Sequence, residues 1–126
     1  MKKIYLIFIV FSFLSFASCK KSGLGGGTTI IFYPEHNQDT IRGATVYIKF
    51  NASEVPADPT KNFDLKIVGN PDEPHIRVEG LRIGKYSFYV NGYDSLSMQN
   101  VSGSSSVKIS RSERNAEIGF YFQMDE

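Results

Sequence analysis

From Thr28 onward the apolar residues of this chain recur at every second position. Ala44, Val46, Ile48 and Phe50 alternate with Thr45, Tyr47 and Lys49. Tyr86, Phe88 and Val90 alternate with Lys85, Ser87 and Tyr89, and Ile118, Phe120 and Phe122 with Glu117, Gly119 and Tyr121. Successive side chains on a strand point to opposite faces, so a period of two writes one apolar face and one wet face. After Cys19 no long window carries apolar residues at i, i+3, i+4 and i+7, and Asn51 to Val55 has room for one helical turn at most. The pattern predicts antiparallel sheets with one face on the core. Each such sheet needs its apolar face covered, which two sheets packed face to face achieve. The expectation is therefore an all-β, about seven-stranded antiparallel β-sandwich, most of its strands bounded by Gly, Pro, Asn or Ser.

Breakers set the expected limits. Pro34 is expected to stop the first strand, and Glu35 to Asp39 to form a polar loop. Pro56 and Pro59 mark a loop from Ser53 to Asn62. Gly69 to Pro74 reads as a turn-rich connector. Val101 to Ser106 reads as a loop, and Val107 and Ile109 as a short strand. Ser22-Gly23-Leu24-Gly25-Gly26-Gly27 reads as a flexible tether, because glycines are costly to order. A chain of 126 residues allows one such domain.

The N-terminus is of another kind. Lys2 and Lys3 precede an apolar run from Ile4 to Phe16, followed by the small residues Ala17 and Ser18. That is the layout of a secretory signal. Phe16-Ala17-Ser18-Cys19 resembles the bacterial lipobox, with Phe16 where Leu, Val or Ile is usual. The resemblance implies cleavage before Cys19 and acylation of its thiol, in the manner of Bacteroidetes-type lipoproteins. It also accounts for a single cysteine in an oxidising compartment. Several acyl chains give durable anchoring. The expected organisation is a lipoprotein signal peptide over 1–18, a lipidated cysteine and Gly-rich tether over 19–27, and the sandwich domain over 28–126. Cleavage removes Lys2 and Lys3 from the 14 basic residues, leaving 12 against 13 acidic. A near-neutral domain is a poor partner for nucleic acid. Lys20-Lys21-Ser22 lacks an acidic export signal, which favours the periplasmic side of the outer membrane over the cell surface.

The stretch Pro74 to Ser95 reads as a central hairpin. Its run Gly80-Leu81-Arg82-Ile83-Gly84-Lys85-Tyr86-Ser87-Phe88 is similar to the G-L-x-x-G-x-Y-x-F signature of prealbumin-like domains, the transthyretin-like and carboxypeptidase-regulatory-like sandwiches. Gly43-Ala44-Thr45-Val46 stands where that family has an early Gly-Ala-x-Val strand. The resemblance covers about Thr28 to Phe122 and implies positive φ at Gly80 and Gly84, with Leu81, Tyr86 and Phe88 in the core. Two chemistries of such domains lack their residues. Val90 occupies the position of the acid that forms isopeptide bonds in pilin-type modules. The ending Tyr121 to Glu126 lacks the Tyr-Arg-Gly-Ser tail of hydroxyisourate hydrolases. The fold itself does not name a function.

Candidate site residues are few. His36 and His75, with Glu35 or Asp72, are the candidate metal ligands, since imidazole and carboxylate suit zinc or copper. Nothing in their spacing brings the two loops together, and two exposed or edge histidines is the simpler expectation. Tyr47, Tyr89, Tyr93 and Tyr121, with Tyr33, fall on or near outward positions. They suit a binding surface for a glycan or a protein, or cross-strand pairs that merely stabilise the sheet. No G-x-S-x-G elbow or Walker loop is present. The expectation is a non-enzymatic envelope lipoprotein without cofactor, a membrane-anchored binding or structural module. The alternative is a metal-binding or metal-dependent periplasmic protein.

Overall fold

The computed structural model describes residues 22–126. The expected signal peptide over 1–18, Cys19 and the Lys20-Lys21 pair lie outside the described residues. No helix among the described residues is long and apolar enough to cross a membrane. Eight strands follow in order: β1 (Leu24–His36), β2 (Asp39–Thr40), β3 (Thr45–Phe50), β4 (Leu65–Val68), β5 (Ile76–Leu81), β6 (Gly84–Asp94), β7 (Gln99–Ile109) and β8 (Glu117–Gln123). A 3-10 turn, Arg111–Glu113, precedes β8. The described residues are all-β and form two sheets, as their alternation requires.

One sheet is built around β1, which pairs with β5 and β2 along one edge and with β8 along the other. The second sheet runs β4-β3-β6-β7. Their inner faces share one core. Ile30 and Phe32 of β1 meet Val46, Ile48, Phe88 and Val90 of the second sheet, all at most 1% exposed. Phe32 is the centre of an aromatic cluster. Its ring lies 4.9 Å from Phe88 across the sheets, edge to face, and within 6.3 Å of Phe120 and Phe122 beside it. Such edge-to-face pairs add to plain area burial.

Each end of the core is closed by buried polar groups. At the first, the Gly23 N–H donates to the Tyr86 hydroxyl at 2.8 Å, and that hydroxyl donates to the Arg82 carbonyl at 2.7 Å. Burial pushes the Tyr86 phenol above its ordinary range. At the second end, Asp94 meets His36.

The structure corrects several expectations. The stretch Pro74 to Ser95 is not a hairpin. Gly80 and Gly84 do take positive φ, 76° and 145°, and Leu81, Tyr86 and Phe88 are fully buried. Yet β5 pairs with β1 while β6 pairs with β3 and β7, so the glycines turn the chain from one sheet to the other. One-faced alternation is the same for a hairpin and for such a corner, since both strands turn their apolar faces inward. The hairpin is formed instead by β6 and β7, in register from Gly84↔Ile109 to Asp94↔Gln99. Ser102 to Ser106, expected as a loop, therefore extends an eleven-residue strand. Serine has weak strand preference of its own, and here the full length of β6 supplies the pairing.

The pairing of β1 with β8 is parallel, from Thr29↔Glu117 to Glu35↔Gln123, so the sheets are not wholly antiparallel. Strand β1 also runs through Pro34. It does so because Pro34 falls between the last β5 pair, Phe32↔Ile76, and the first β2 pair, Glu35↔Thr40. No ladder N–H is needed there, and the Pro34 carbonyl accepts from Ile41 N–H at 2.9 Å. The expected tether, 22–27, is part of the domain: Leu24 to Gly27 opens β1, and Arg82 N–H donates to the Gly23 carbonyl at 2.8 Å.

Beyond β8 the chain crosses sheets once more. Asp125 pairs with Ser102 of β7 through two hydrogen bonds of 2.8 Å, which joins the open edges of β8 and β7. Gly103 permits this, since a Cβ there would meet the Phe122 ring at 2.7 Å.

Candidate functional site

His36 is not an exposed loop residue. It is the last residue of β1, 4% exposed, with its Nδ1 2.7 Å from Asp94 Oδ2. The inward parity of Thr28, Ile30, Phe32 and Pro34 carries His36 to the inner face. Asp94 is the last residue of β6 and equally buried. Its other oxygen accepts from the Leu96 and Ser97 N–H groups at 2.9 and 3.4 Å, closing the β6–β7 turn. Facing a carboxylate, His36 carries its proton on Nδ1 and donates it, and its Nε2 lies 3.4 Å from Asn37 Nδ2. Glu126 Oε1 stands 3.9 Å from the same Nε2. One carboxylate thus ties β1 of one sheet to the turn of the other.

The same contacts set a pH dependence. The His36 hydrogen bond, helped by the Ser97 hydroxyl and the Leu96 and Ser97 N–H groups, holds the Asp94 carboxyl at about 2 against an ordinary 3.8. A carboxyl depressed in the folded state stabilises it above the unfolded value and loses that contribution as pH falls toward the folded one. The domain should therefore weaken between about pH 4 and pH 2. Asp94→Asn should melt lower at neutral pH and show a flatter melting profile across that window. Thermal unfolding followed by circular dichroism from pH 2 to 7 checks this; equal acid slopes in both proteins would remove Asp94 from the account.

His75 lies just before β5, half-buried, its ring 6.1 Å from Tyr33 on the outer face of the β1 sheet. The two histidines therefore occupy opposite faces of that sheet. Glu35 and Asp72 do not join them: Glu35 accepts from Gln123 at 3.1 Å, and the Asp72 carbonyl accepts from Arg42 at 3.0 Å. Among the described residues no three His, Cys, Asp or Glu side chains gather to hold an ion.

The tyrosines divide. Tyr121 stacks on Tyr33, 4.9 Å between centroids and 19° between planes, on the outer face of the β1 sheet. Tyr47, Tyr89 and Tyr93 lie on the outer face of the second sheet, the opposite side of the molecule. The single tyrosine surface is thus two surfaces. Tyr47 is engaged, with Phe63 edge-on at 5.2 Å and Lys66 Nζ 5.5 Å above its ring. The loop carrying Val55, Pro56 and Pro59 folds over the same face beside Ser87, which is only 1% exposed despite pointing outward. One half of the face is covered. The other half is open.

The open half is a groove of about 490 Å³. Tyr89, Asn91 and Tyr93 of β6 form its floor, with Thr45 on one side and Asn100 and Ser102 on the other. Register explains the grouping: Thr45↔Asn91↔Ser102 is one row across three strands, and Tyr93↔Asn100 is the next. Tyr93 is half exposed, and Leu96 and Met98, each about three-quarters exposed, form an apolar rim at the hairpin tip. Every residue lining the groove is uncharged. Tyrosine rings offer flat apolar faces, and the amides and hydroxyls both donate and accept.

The chain matches no protein-family model, no curated protein and no solved structure. The groove's own chemistry is then the guide to function. Tyr89 and Tyr93 are legible as outward residues from the β6 alternation, and Asn91 lies between them in the same phase. Asn100 and Ser102 are not, because their strand reads as a serine loop.

Proposed function

We propose that this chain is a non-enzymatic envelope lipoprotein. Acylated Cys19 would hold it at the outer membrane, facing the periplasm, and the domain would present the Tyr89–Tyr93 groove to a neutral glycan. The observation that carries the binding reading is the groove's lining of two tyrosines, two asparagine amides and two hydroxyls without a charge. Sugars offer apolar ring faces for stacking and hydroxyls for paired hydrogen bonds. The groove also lies toward the Asp94 end of β6, away from Gly23, where the chain enters the domain. A tether at the N-terminus would leave it free.

A prealbumin-like type of sandwich belongs to this reading. The Gly80–Phe88 run supports it, with its positive-φ glycines and buried Leu81, Tyr86 and Phe88.

The binding half is tested by titrating cello-, malto- and chito-oligosaccharides into the protein and following backbone amide shifts. One class should move Asn91, Tyr93 and Asn100, and Tyr93→Ala should weaken it about tenfold or more, as loss of one stacking face implies. Silence of these amides toward every sugar, or equal binding by Tyr93→Ala, would discard the glycan in favour of a protein partner on the Leu96–Met98 rim. The anchor is tested separately by metabolic labelling with a clickable fatty acid. Label must enter the wild type and vanish in Cys19→Ser.

A further inference from the structure

A second recess, of about 770 Å³, opens at the Gly23 end of the domain. Arg82, Arg111 and Arg114 line it together with Gly25, Gly26 and Gly27. Arg82 leaves the β5–β6 corner, and the other two come from the 3-10 turn before β8 and the residue after it. No carboxylate lines the recess. Among the described residues, none of the three guanidinium groups forms an ion pair, whereas Arg77 pairs with both Glu79 and Glu117. Residues 1–21 hold no Asp or Glu that could supply one. The nearest acid in sequence, Glu113, is turned to the Ser110 N–H and hydroxyl at 3.0 and 2.7 Å.

The glycines keep this recess open. Leu24 and Thr28 both register against Leu81, so Gly25, Gly26 and Gly27 bulge from the β1–β5 ladder with no partner in β5. A Cβ on Gly25 would meet the Arg82 guanidinium at 2.7 Å. Arg82 thus lies against bare backbone beside the other two cations. All three arginines border one recess, so an anion entering it is attracted by each of them. The guanidinium fork matches phosphate oxygens in pairs, which no monovalent chloride can use.

The place of the recess identifies the source of that phosphate. Gly23 is hydrogen-bonded to Arg82 through its carbonyl, so the chain enters the domain at the recess. Cys19 precedes Ser22 by three residues, a reach of about 10 Å at most. In the sequence, Lys20 and Lys21 stand between Cys19 and Ser22. We propose that the Arg82–Arg111–Arg114 recess binds the phosphate of an anionic lipid headgroup and seats the domain on the membrane with its groove outward. This deepens the anchored-lipoprotein reading and rests on it for the choice of lipid over soluble phosphate.

The test uses the full chain in phosphatidylcholine vesicles, with and without phosphatidylglycerol, and in phosphatidylcholine with inorganic phosphate added. Hydrogen exchange of residues 24–28 and 111–115 is the readout. Phosphatidylglycerol should slow it several-fold, high salt should reverse the effect, and the Arg82→Gln/Arg111→Gln/Arg114→Gln variant should show none. Unchanged exchange in β3 and β6 of that variant reports an intact fold. Protection by inorganic phosphate but not by phosphatidylglycerol overturns the headgroup assignment. No protection by either, or undiminished protection in the variant, overturns the recess as a phosphate site. The mass of the purified chain reports acylation independently. An unacylated chain still protected by phosphatidylglycerol keeps the recess and discards the anchor.

Discussion

Phe32→Ala is expected to destabilise the domain by about 3–5 kcal/mol, the range for emptying a large aromatic site in a core. Phe32 is fully buried and touches three other phenylalanines, one of them in the opposite sheet. Neither sheet can close the gap alone, because Phe88 approaches from one side and Phe120 and Phe122 from the other. A domain of this size holds about 5–15 kcal/mol in total, so the variant would sit near the edge of folding. Urea unfolding measures the loss directly. Tyr121→Ala is the matched control: it also removes an aromatic pair, but from an exposed face, and should cost about 1 kcal/mol or less. If Phe32→Ala proved as mild as the control, the two sheets would not be joined through this ring.

Gly26→Ala carries the second large effect. A Cβ at this position would collide with the Leu81 carbonyl oxygen, which is backbone and cannot rotate away. Either the β1 bulge or the β5 end must shift, at about 2–3 kcal/mol or a melting point lower by roughly 10–20 °C. Gly119→Ala is the contrast. Its Cβ would make an ordinary 3.7 Å contact with Tyr33, and it should stay within about 1 kcal/mol of the wild type. A flexible tether would tolerate alanine anywhere between Gly25 and Gly27. Equal melting points for Gly26→Ala and the parent would return the segment to that role.

These variants touch the places where sequence and structure part. Alternation identifies the inward residues of β3, β6 and β8 correctly, because a side chain's face depends only on its own strand. It says nothing of which strands are neighbours. Tyr86 and Phe88 would point inward in a hairpin as they do in the inter-sheet corner that β5 and β6 form. The parallel β1–β8 pair joins residues some ninety positions apart, and no local pattern encodes it. Glycine and serine mislead for a related reason. Gly25 to Gly27 and Ser102 to Ser106 have little preference for extended structure, and each is ordered by what lies beside it. His36 was legible as a candidate only by residue type. Its partner Asp94 is 58 positions away, and although it shares the phase of Tyr86, Phe88 and Val90, a carboxylate there gives no sign of which residue would pair with it. The groove was half legible, since its tyrosines obey the alternation of β6 while Asn100 and Ser102 belong to a strand that reads as linker.

The course of β1 has a mechanical consequence. Past the glycine bulge beside Gly23, the strand runs from Thr28 to His36, nine residues or about 30 Å, with partners along both edges. A load applied through the N-terminus pulls it along its own axis. Its hydrogen bonds to β5 and β8 then lie across the force and must yield together, instead of opening one after another from a free end. A protein held by that terminus while its far groove grips a larger structure would carry tension through its strongest direction.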